Sequence, residues 1–442
     1  MDEEMLRGVV AQALSAGADA AEAVFAERAA LSVTVRLGSL EEVEREESRD
    51  LGLRVFVGRR QASVSGSDVS PEGRAKLVEH VVAMARLAAE DPWAGLAPAD
   101  RLAGAKPDLG LHDPTEWPAE GLEARAREAE DAARAVTGVT NSNGGSAAWS
   151  SSGWRMVTSG GFAGHHRATA FSLSAQAIAG EGLEMEQGGE GRATRWAEDL
   201  PGPVAIGTEA GRRAVASLNA RKIASTTAPV IFENRLAASL LGPLVGAISG
   251  PSVARGVSFL KDRLGRRLFA GGVTVTDDPH VARGLGSSPF DDEGVEGHAL
   301  NIVEDGVLAS WLLNTSSARQ LGLETTGHAS RGLAGPPGVG PSNLTLRPGE
   351  RERAALMRDA GSGVLVTSMF GPSLNANTGD WSVGCSGHWF EKGEIAYPVT
   401  EITVAGNLID IYARLVPGAD LEIRGSANAP SILVDALAIA GK

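Results

Sequence analysis

The side chains that could do chemistry in this chain are few and scattered. His165-His166 stands in SGGFAGHHRAT. Adjacent strand residues point to opposite faces, so the pair does not chelate one ion in that setting, and it reads as a solvated turn before a strand. Asp277-Asp278 with His280, and Asp291-Asp292-Glu293, offer oxygen-rich donors for a cation. TDDP and FDDEG are also turn-forming sequences, and the turn is the simpler reading. Cys385 and His388, three apart in VGCSGHWF, fall on opposite faces of a strand. That disfavours a cysteine–histidine pair and leaves Cys385 as a small buried hydrophobe. The segment 325–344, TTGHASRGLAGPPGVGPSNL, is long, rich in Gly and Pro, and carries His328 and Arg331. Loops of that length are often functional, and a disordered connection is the equal alternative. Local motifs are absent: no G-x-S-x-G, no G-x-x-x-x-G-K, no G-x-G-x-x-G, and none of the eight histidines is followed by Glu, so no H-E-x-x-H or H-E-x-x-x-H exists.

The elements that must hold these residues are legible in part. Residues 3–16 suit a helix with Leu6, Val9, Val10, Ala13 and Leu14 on one face. Leu31, Val33, Val35 and Leu37 alternate with polar residues, as do Leu51, Leu53, Val55 and Val57, and EEVEREE between them reads as a solvated strand edge or hairpin. Ser70-Pro71 opens a helix with Leu77, Val81, Met84 and Ala88 facing inward. Residues 91–118 read as a linker or long surface connection. A helix near 119–136 follows, with a ridge of Leu122, Ala126, Ala129, Ala133 and Val136. TNSNGGSAAWSSSGW is polar, with turns expected, within the strand-like region 138–197, and a helix near 203–219 closes the first half. The second half opens on Val230-Ile231-Phe232 as a buried strand, then an apolar helical face of Leu236, Leu240, Leu241, Leu244, Val245 and Ile248. Glu304-Asp305-Gly306 and Glu391-Lys392-Gly393-Glu394 mark two hairpins. Gly322 ends a short helix at about 315–321. The expected fold is α+β: an N-terminal α/β region with a β-meander and helices (1–220, with a subdivision near 91–118) and a mostly antiparallel C-terminal β domain with a few helices (221–442).

Bulk composition bounds the function. The chain has 442 residues, 43% hydrophobic and 22% charged, enough for two to three cored domains. A net charge of −14 argues against duplex nucleic acid and anionic membranes. One cysteine excludes an intrachain disulfide and fits a reducing compartment. The start Met1-Asp2-Glu3-Glu4 is acidic where a signal peptide is basic. The most apolar stretch, Leu236–Ile248, is cut by Gly242-Pro243 and falls short of the roughly 18 residues a membrane span needs. The expectation is a cytoplasmic protein.

Several stretches, in this order and spacing, resemble the TldD/PmbA metallopeptidase family, and within it the PmbA, or TldE, branch. They are LLGPLVGAISGPSVARGVSFL (240–260), SSPFDDEGVEGHALNIVEDGVLASWLLNTSSARQLGL (287–323), TTGHAS (325–330) and NTGDWSVGCSGHWFEKGEIAYPVTEITVAGNL (377–408). They span most of the second half. The resemblance implies a cytoplasmic two-chain peptidase, a TldD-like and a TldE-like subunit forming a heterodimer that removes unfolded peptides or trims peptide precursors. The TldD-type chain carries zinc on a helix with H-E-x-x-x-H plus a later cysteine. Laid on this chain, that motif falls on Ala238-Ser239-Leu240-Leu241-Gly242-Pro243. Ala238 and Pro243 take the two histidine positions and Ser239 the glutamate position, and Leu421–Ala429, near the later cysteine, has none. The resemblance therefore carries over fold and complex, but no catalytic residue and no metal in this chain, with zinc expected in the partner. Pro243 should also kink the helix. In such a complex the loop 325–344 would face the shared cavity, making Thr326, His328 and Arg331 candidates for contact with peptide or partner. Family members were once named as DNA gyrase modulators, and the net charge favours an indirect effect over DNA binding. Two other readings stand beside this one: an independent hydrolase using Asp277, Asp278 and His280 for a metal, and a homodimeric binding or scaffold protein.

Overall fold

Long antiparallel strands set the first half. In the computed structural model, which describes residues 2–442, helix α1 (Glu3–Ser15) starts at Asp2, whose carboxylate accepts the Met5 N–H at 2.9 Å. Strand β1 (Ala20–Arg36) then pairs with β2 (Ser39–Val57) along its whole length. The alternation at 31–37 is the far end of β1. Leu37 and Gly38 form its two-residue turn, at φ 50° and 73°. That turn is held by Glu130, whose buried carboxylate accepts both backbone N–H groups at 2.7 and 2.9 Å. The remaining elements of this half are β3 (Arg60–Gly66), α2 (Pro71–Leu87), α3 (Ala119–Arg134), β4 (Val139–Thr158), β5 (Ala163–Ala179), β6 (Glu186–Thr194) and α4 (Pro203–Ala216). The strands form one sheet in the order β3-β2-β1-β4-β5-β6. On one face α1 and α2 bury Phe25, Leu51 and Leu53, and α3 and α4 bury Val33, Phe171 and Leu173. The other face turns Val24 and Met156 toward Phe290 and Leu333 of the second half.

Three expectations change here. The polar stretch 140–154 is no run of turns but the middle of β4, paired to β1 on one side and β5 on the other. Backbone bonding on both edges makes a strand of it despite its composition. Its glycines serve contact: a Cβ at Gly145 would strike the Ala126 carbonyl of α3. Helix α2 is capped by Ser70, but its buried face is Val78, Val81, Val82 and Ala85, while Met84 is 41% exposed. The short branched residues let α2 sit close on the sheet and leave the longer Leu77 and Met84 at its flanks. Residues His165 and His166 lie within β5 rather than before it, on opposite faces as adjacent strand residues must.

Connection 91–118 is irregular apart from a single turn at Ala99–Arg101, and it is pinned down. The Ala103 N–H donates to Gly294 O at 2.9 Å, and Trp117 packs edge-on against Phe171 at 4.8 Å.

The second half is built around β7 (Thr226–Phe232), which leads into α5 (Asn234–Ala237), α6 (Leu241–Ile248) and α7 (Gly250–Ala254). A small sheet follows from β8 (Val275–Asp277), β9 (Leu300–Glu304) and β10 (Val307–Leu308), then α8 (Thr315–Leu321), ended by Gly322 at φ 66°. Segment 325–344 holds the pair β11 (Ala329–Ser330) and β12 (Gly338–Val339) and leads to β13 (Leu344–Leu346). Last come α9 (Arg353–Ala360), β14 (Ser362–Leu374), β15 (Asp380–Glu391), β16 (Glu394–Asn407), α10 (Leu408–Arg414), β17 (Val416–Pro417), β18 (Ala427–Asn428) and β19 (Ile432–Ala440). β7 lies between β14 (parallel) and β19 (antiparallel), and β16 pairs with both β15 and β19. Five strands thus close into a barrel around Val230, Phe232, Val364, Val404 and Val434. Both marked hairpins form, with two-residue turns at Asp305-Gly306 and Lys392-Gly393, all four residues at positive φ. The fold is α+β, as read from sequence. No helix among the described residues is long and apolar enough to cross a membrane.

Candidate functional site

The metal-motif positions lie where the chain leaves the barrel. β7 ends at Phe232, α5 runs for one turn, Ala238–Leu240 tightens to a 3-10 turn, and α6 restarts at Leu241. Pro243 explains the break: with no N–H it cannot bond the carbonyl four residues back, and it is tolerated because it falls in the first turn of α6. The buried Tyr412 hydroxyl, from α10, donates to Leu240 O at 3.0 Å and closes the gap. Burial pushes the Tyr412 phenol well above its usual range. Tyr412→Phe should cost about 1–3 kcal/mol of stability by orphaning that carbonyl, read by urea denaturation at unchanged m-value.

Ala238 is half-buried and Ser239 exposed, and neither Ala238 nor Pro243 carries a side-chain donor. The Ser239 hydroxyl turns back onto Leu236 O at 2.6 Å. These residues do not fit a zinc ion, and no group of three or more His, Cys, Asp or Glu able to hold a metal exists among the described residues. Segment 420–431 does come to the start of the broken helix: the Asn234 side chain donates to Asp420 O at 2.8 Å, and its N–H to Ser431 Oγ at 3.2 Å. Cys385 sits inside the barrel, its thiol pushed up to about 12 by burial, while His388 lies on the opposite face with Nε2 3.0 Å from Ala216 O.

Beside the helix start, a cleft of about 320 Å³ opens between α4 and β6 on one side and β14–β16 on the other. Glu233 stands in it between Arg235 at 3.1 Å and Arg353 at 3.4 Å. Ser386 and His388 share this wall, but no hydrogen bond joins them, and the imidazole's one bond runs from Nε2 to the Ala216 carbonyl. The cleft can hold polar, extended chain. It holds no nucleophile paired with a base. Its rim is tied by Glu190, which meets Arg192, Arg213 and Arg424.

Thr326, His328 and Arg331 turn inward. His328 Nε2 lies 3.1 Å from the Asp277 carboxylate and Nδ1 2.9 Å from Thr326 Oγ1. A carboxylate only accepts, so Nε2 carries the proton. A hydroxyl–imidazole–carboxylate chain has the outline of a nucleophile relay. Here, however, the His328 and Asp277 side chains are sealed from solvent, and the hydroxyl accepts the Leu313 N–H at 2.8 Å. Arg331 ion-pairs with Glu22 of β1, both side chains 1% exposed. Two residues on, Leu333 packs so closely that a Cβ at Gly52 would lie 2.8 Å from its carbonyl oxygen. Segment 325–344 is an ordered clasp onto the N-terminal sheet, and this geometry favours holding over direct contact for the three candidates.

The turn reading holds for 291–293, where Asp291 and Glu293 are buried, but not for Asp277, which is buried at the end of β8 with Asp278 half-buried after it. Asp277 accepts the Ser342 N–H with both oxygens beside its bond to His328, and Asp278 accepts the His280 N–H at 2.9 Å. Asp291 accepts the N–H groups of Glu293, Val295 and Ala329, Asp292 that of Arg331, and Glu293 that of Thr315. Burial raises all three carboxyls, Asp292 to about 6. What the sequence reading missed is their company: Glu22 bridges Arg54, at 3.4 Å, and Arg331. The signal was present, since Glu22 and Arg54 each interrupt an apolar run, AAEAVF and LGLRVFV.

With this geometry, comparison with known proteins is informative. Three family models match in order: PmbA/TldA metallopeptidase domain 1 at 21–85, the central domain at 112–218 and the C-terminal domain at 225–441. The chain is 38% identical to the metalloprotease PmbA of Escherichia coli O157:H7, over 97% of this chain and 94% of that one. It is 35% identical to a PmbA homologue of Haemophilus influenzae, over 99% and 97%. A Bacteroides thetaiotaomicron crystal structure, described as a candidate modulator of DNA gyrase, superposes with TM-score 0.92 at 25% identity, covering 100% and 99%. TldE from Thermococcus kodakarensis shares the fold, with TM-score 0.85 at 19% identity, covering 99% and 100%. The chain belongs to the PmbA/TldD metallopeptidase family, on its PmbA/TldE-like side.

Proposed function

We propose that this chain is the zinc-free, non-catalytic subunit of a two-chain peptidase of the TldD–TldE type, acting on unfolded or short peptides in the cytoplasm. The observation that carries the reading is the donor set at Ala238, Ser239 and Pro243: one hydroxyl, bonded to its own turn. In this role the chain stabilises a zinc-bearing relative, and the mixed-charge cleft beside Glu233 takes part of the peptide. Thr326, His328 and Arg331 contribute by setting the clasp that holds the two halves around that cleft. No hydrolytic step passes through this chain's own side chains.

The test mixes the purified chain with a relative from the same genome that carries H-E-x-x-x-H, and follows cleavage of an unstructured peptide together with co-elution on a sizing column. The mixture should form a complex and cleave, and this chain alone should do neither and hold no stoichiometric zinc. Cleavage by this chain alone, or one tightly bound zinc per chain, sinks the assignment. Absence of a complex favours the scaffold reading.

A further inference from the structure

A second cavity, of about 230 Å³, lies where β2, β3, the 91–118 connection, α7, α8 and Pro336-Pro337 meet. It is separate from the broken helix and from the cleft at Glu233, and nothing argued above uses it. Its floor carries Arg54 and Glu293, both buried. Its walls carry Gln61, Asp91, Asn314 and, at the rim, the exposed Arg255.

The hydrogen-bonding capacity around this cavity is not consumed internally. Arg54 donates through Nη2 to Gly95 O at 3.3 Å, while its Nε and Nη1 have no hydrogen-bond acceptor. Its ion-pair partner Glu22 is shared with Arg331, so one carboxylate serves two guanidinium groups. Gln61 gives its amide N–H to Asp91 at 3.2 Å and keeps a buried, unpartnered carbonyl oxygen. Arg255 has no ion-pair partner among the described residues. Buried polar groups left unpaired in a native fold call for a partner, either water or a ligand.

Charge selects the ligand. A simple anion meets Glu293 and Asp91, and a metal ion meets Arg54 without a three-donor set. An apolar molecule leaves every one of these groups desolvated. The volume, about 230 Å³, lies below the roughly 300–1,000 Å³ of drug-sized pockets, which confines the ligand to a molecule smaller than a drug. We propose that this cavity binds a small zwitterion, a free α-amino acid or dipeptide, with its carboxylate toward Arg255 and Arg54 and its ammonium toward Glu293 and the Gln61 carbonyl. The proposal stands whether or not the chain has a peptidase partner.

Thermal shift and titration calorimetry on the full chain alone test it, with L-alanine, L-glutamate, L-lysine and L-alanyl-L-alanine as probes. N-acetyl-L-alanine and L-alaninamide, each lacking one of the two charges, are the controls. The zwitterions should give saturable binding and raise the unfolding temperature, with each blocked analogue at least about tenfold weaker. Arg255→Ala, a rim change that leaves the fold intact, should weaken binding by about tenfold with no change in the unfolding temperature of the free protein. Gln61→Ala, which also removes the bond to Asp91, should weaken binding by a similar factor. No saturable response up to the solubility of the probes, equal responses to blocked and free forms, or full binding by both variants overturns the proposal, leaving a water-filled cavity.

Discussion

Glu22→Ala should destabilise the chain by about 3–5 kcal/mol, the cost of breaking a buried ion pair from one side. The reason lies in what remains. Arg54 and Arg331 are both buried and share this carboxylate, so its loss strands two guanidinium charges, whereas truncating either arginine leaves Glu22 paired with the other. Asp292 and Glu293 stand nearby and each accepts one backbone N–H, from Arg331 and Thr315, but neither is ion-paired with Arg54 or Arg331, whose carboxylate partner is Glu22. Replacing both arginines as well, in Glu22→Leu/Arg54→Met/Arg331→Met, should restore much of the loss, since hydrophobic residues of similar volume replace buried ion pairs at little or no cost. Urea denaturation of the single and triple variants measures this. In the single variant, protease nicking within 325–344 should also accelerate, because the arginine that clasps this segment to β1 no longer holds. A loss below about 1 kcal/mol, the scale of an exposed pair, would show that Glu22 is solvated and the clasp is held by Leu333 alone.

Asp292→Asn should stabilise the protein at neutral pH and do nothing in acid. Desolvation raises the Asp292 carboxyl from 3.8 to about 6, with Glu293 and Glu22 adding repulsion against the pull of the Arg331 N–H and charge. A raised carboxyl binds its proton more tightly folded than unfolded, so stability is fullest below the unfolded value and falls as pH climbs to the folded one. Above that point the native chain carries a penalty of about 3 kcal/mol, the two-unit shift at 1.36 kcal/mol each. Asparagine keeps the acceptor for the Arg331 N–H and never charges. The variant should match the native chain near about pH 4 and exceed it above about pH 6. Equal stability at every pH would place water beside Asp292 and remove the shift.

These two expectations also show what the sequence carried and what it did not. Elements defined by local chemistry are plain in it: the Ser70 cap, the alanine ridge of α3, the glycine-bearing turns at Asp305-Gly306 and Lys392-Gly393, and the Gly322 stop. Each depends on residues within one or two turns of each other. β4 escaped because its partners, not its residues, make it a strand. The inward face of α2 was misjudged because helical periodicity leaves neighbouring faces nearly equal until a sheet chooses. The break at Pro243 was legible as a kink, but Tyr412, which seals it, comes from 172 residues away. The candidate loop showed its length and its His328 and Arg331, while their burial depends on Asp277 and Glu22, far off in sequence.

The Glu22–Arg331 bond spans 309 residues, and it puts a clock on synthesis. At about 5–20 residues per second, β1 leaves the ribosome roughly 15–60 s before its arginine does. Through that interval the N-terminal sheet can pair and cover itself with α1 to α4, yet its other face keeps Glu22, Arg54, Val24 and Met156 open to the cell. The nascent chain is thus two-faced by design of its order: one side finished early, the other waiting for the second half to arrive. A carboxylate and a guanidinium on the waiting face keep it wet, and they become an interior only when residue 331 docks.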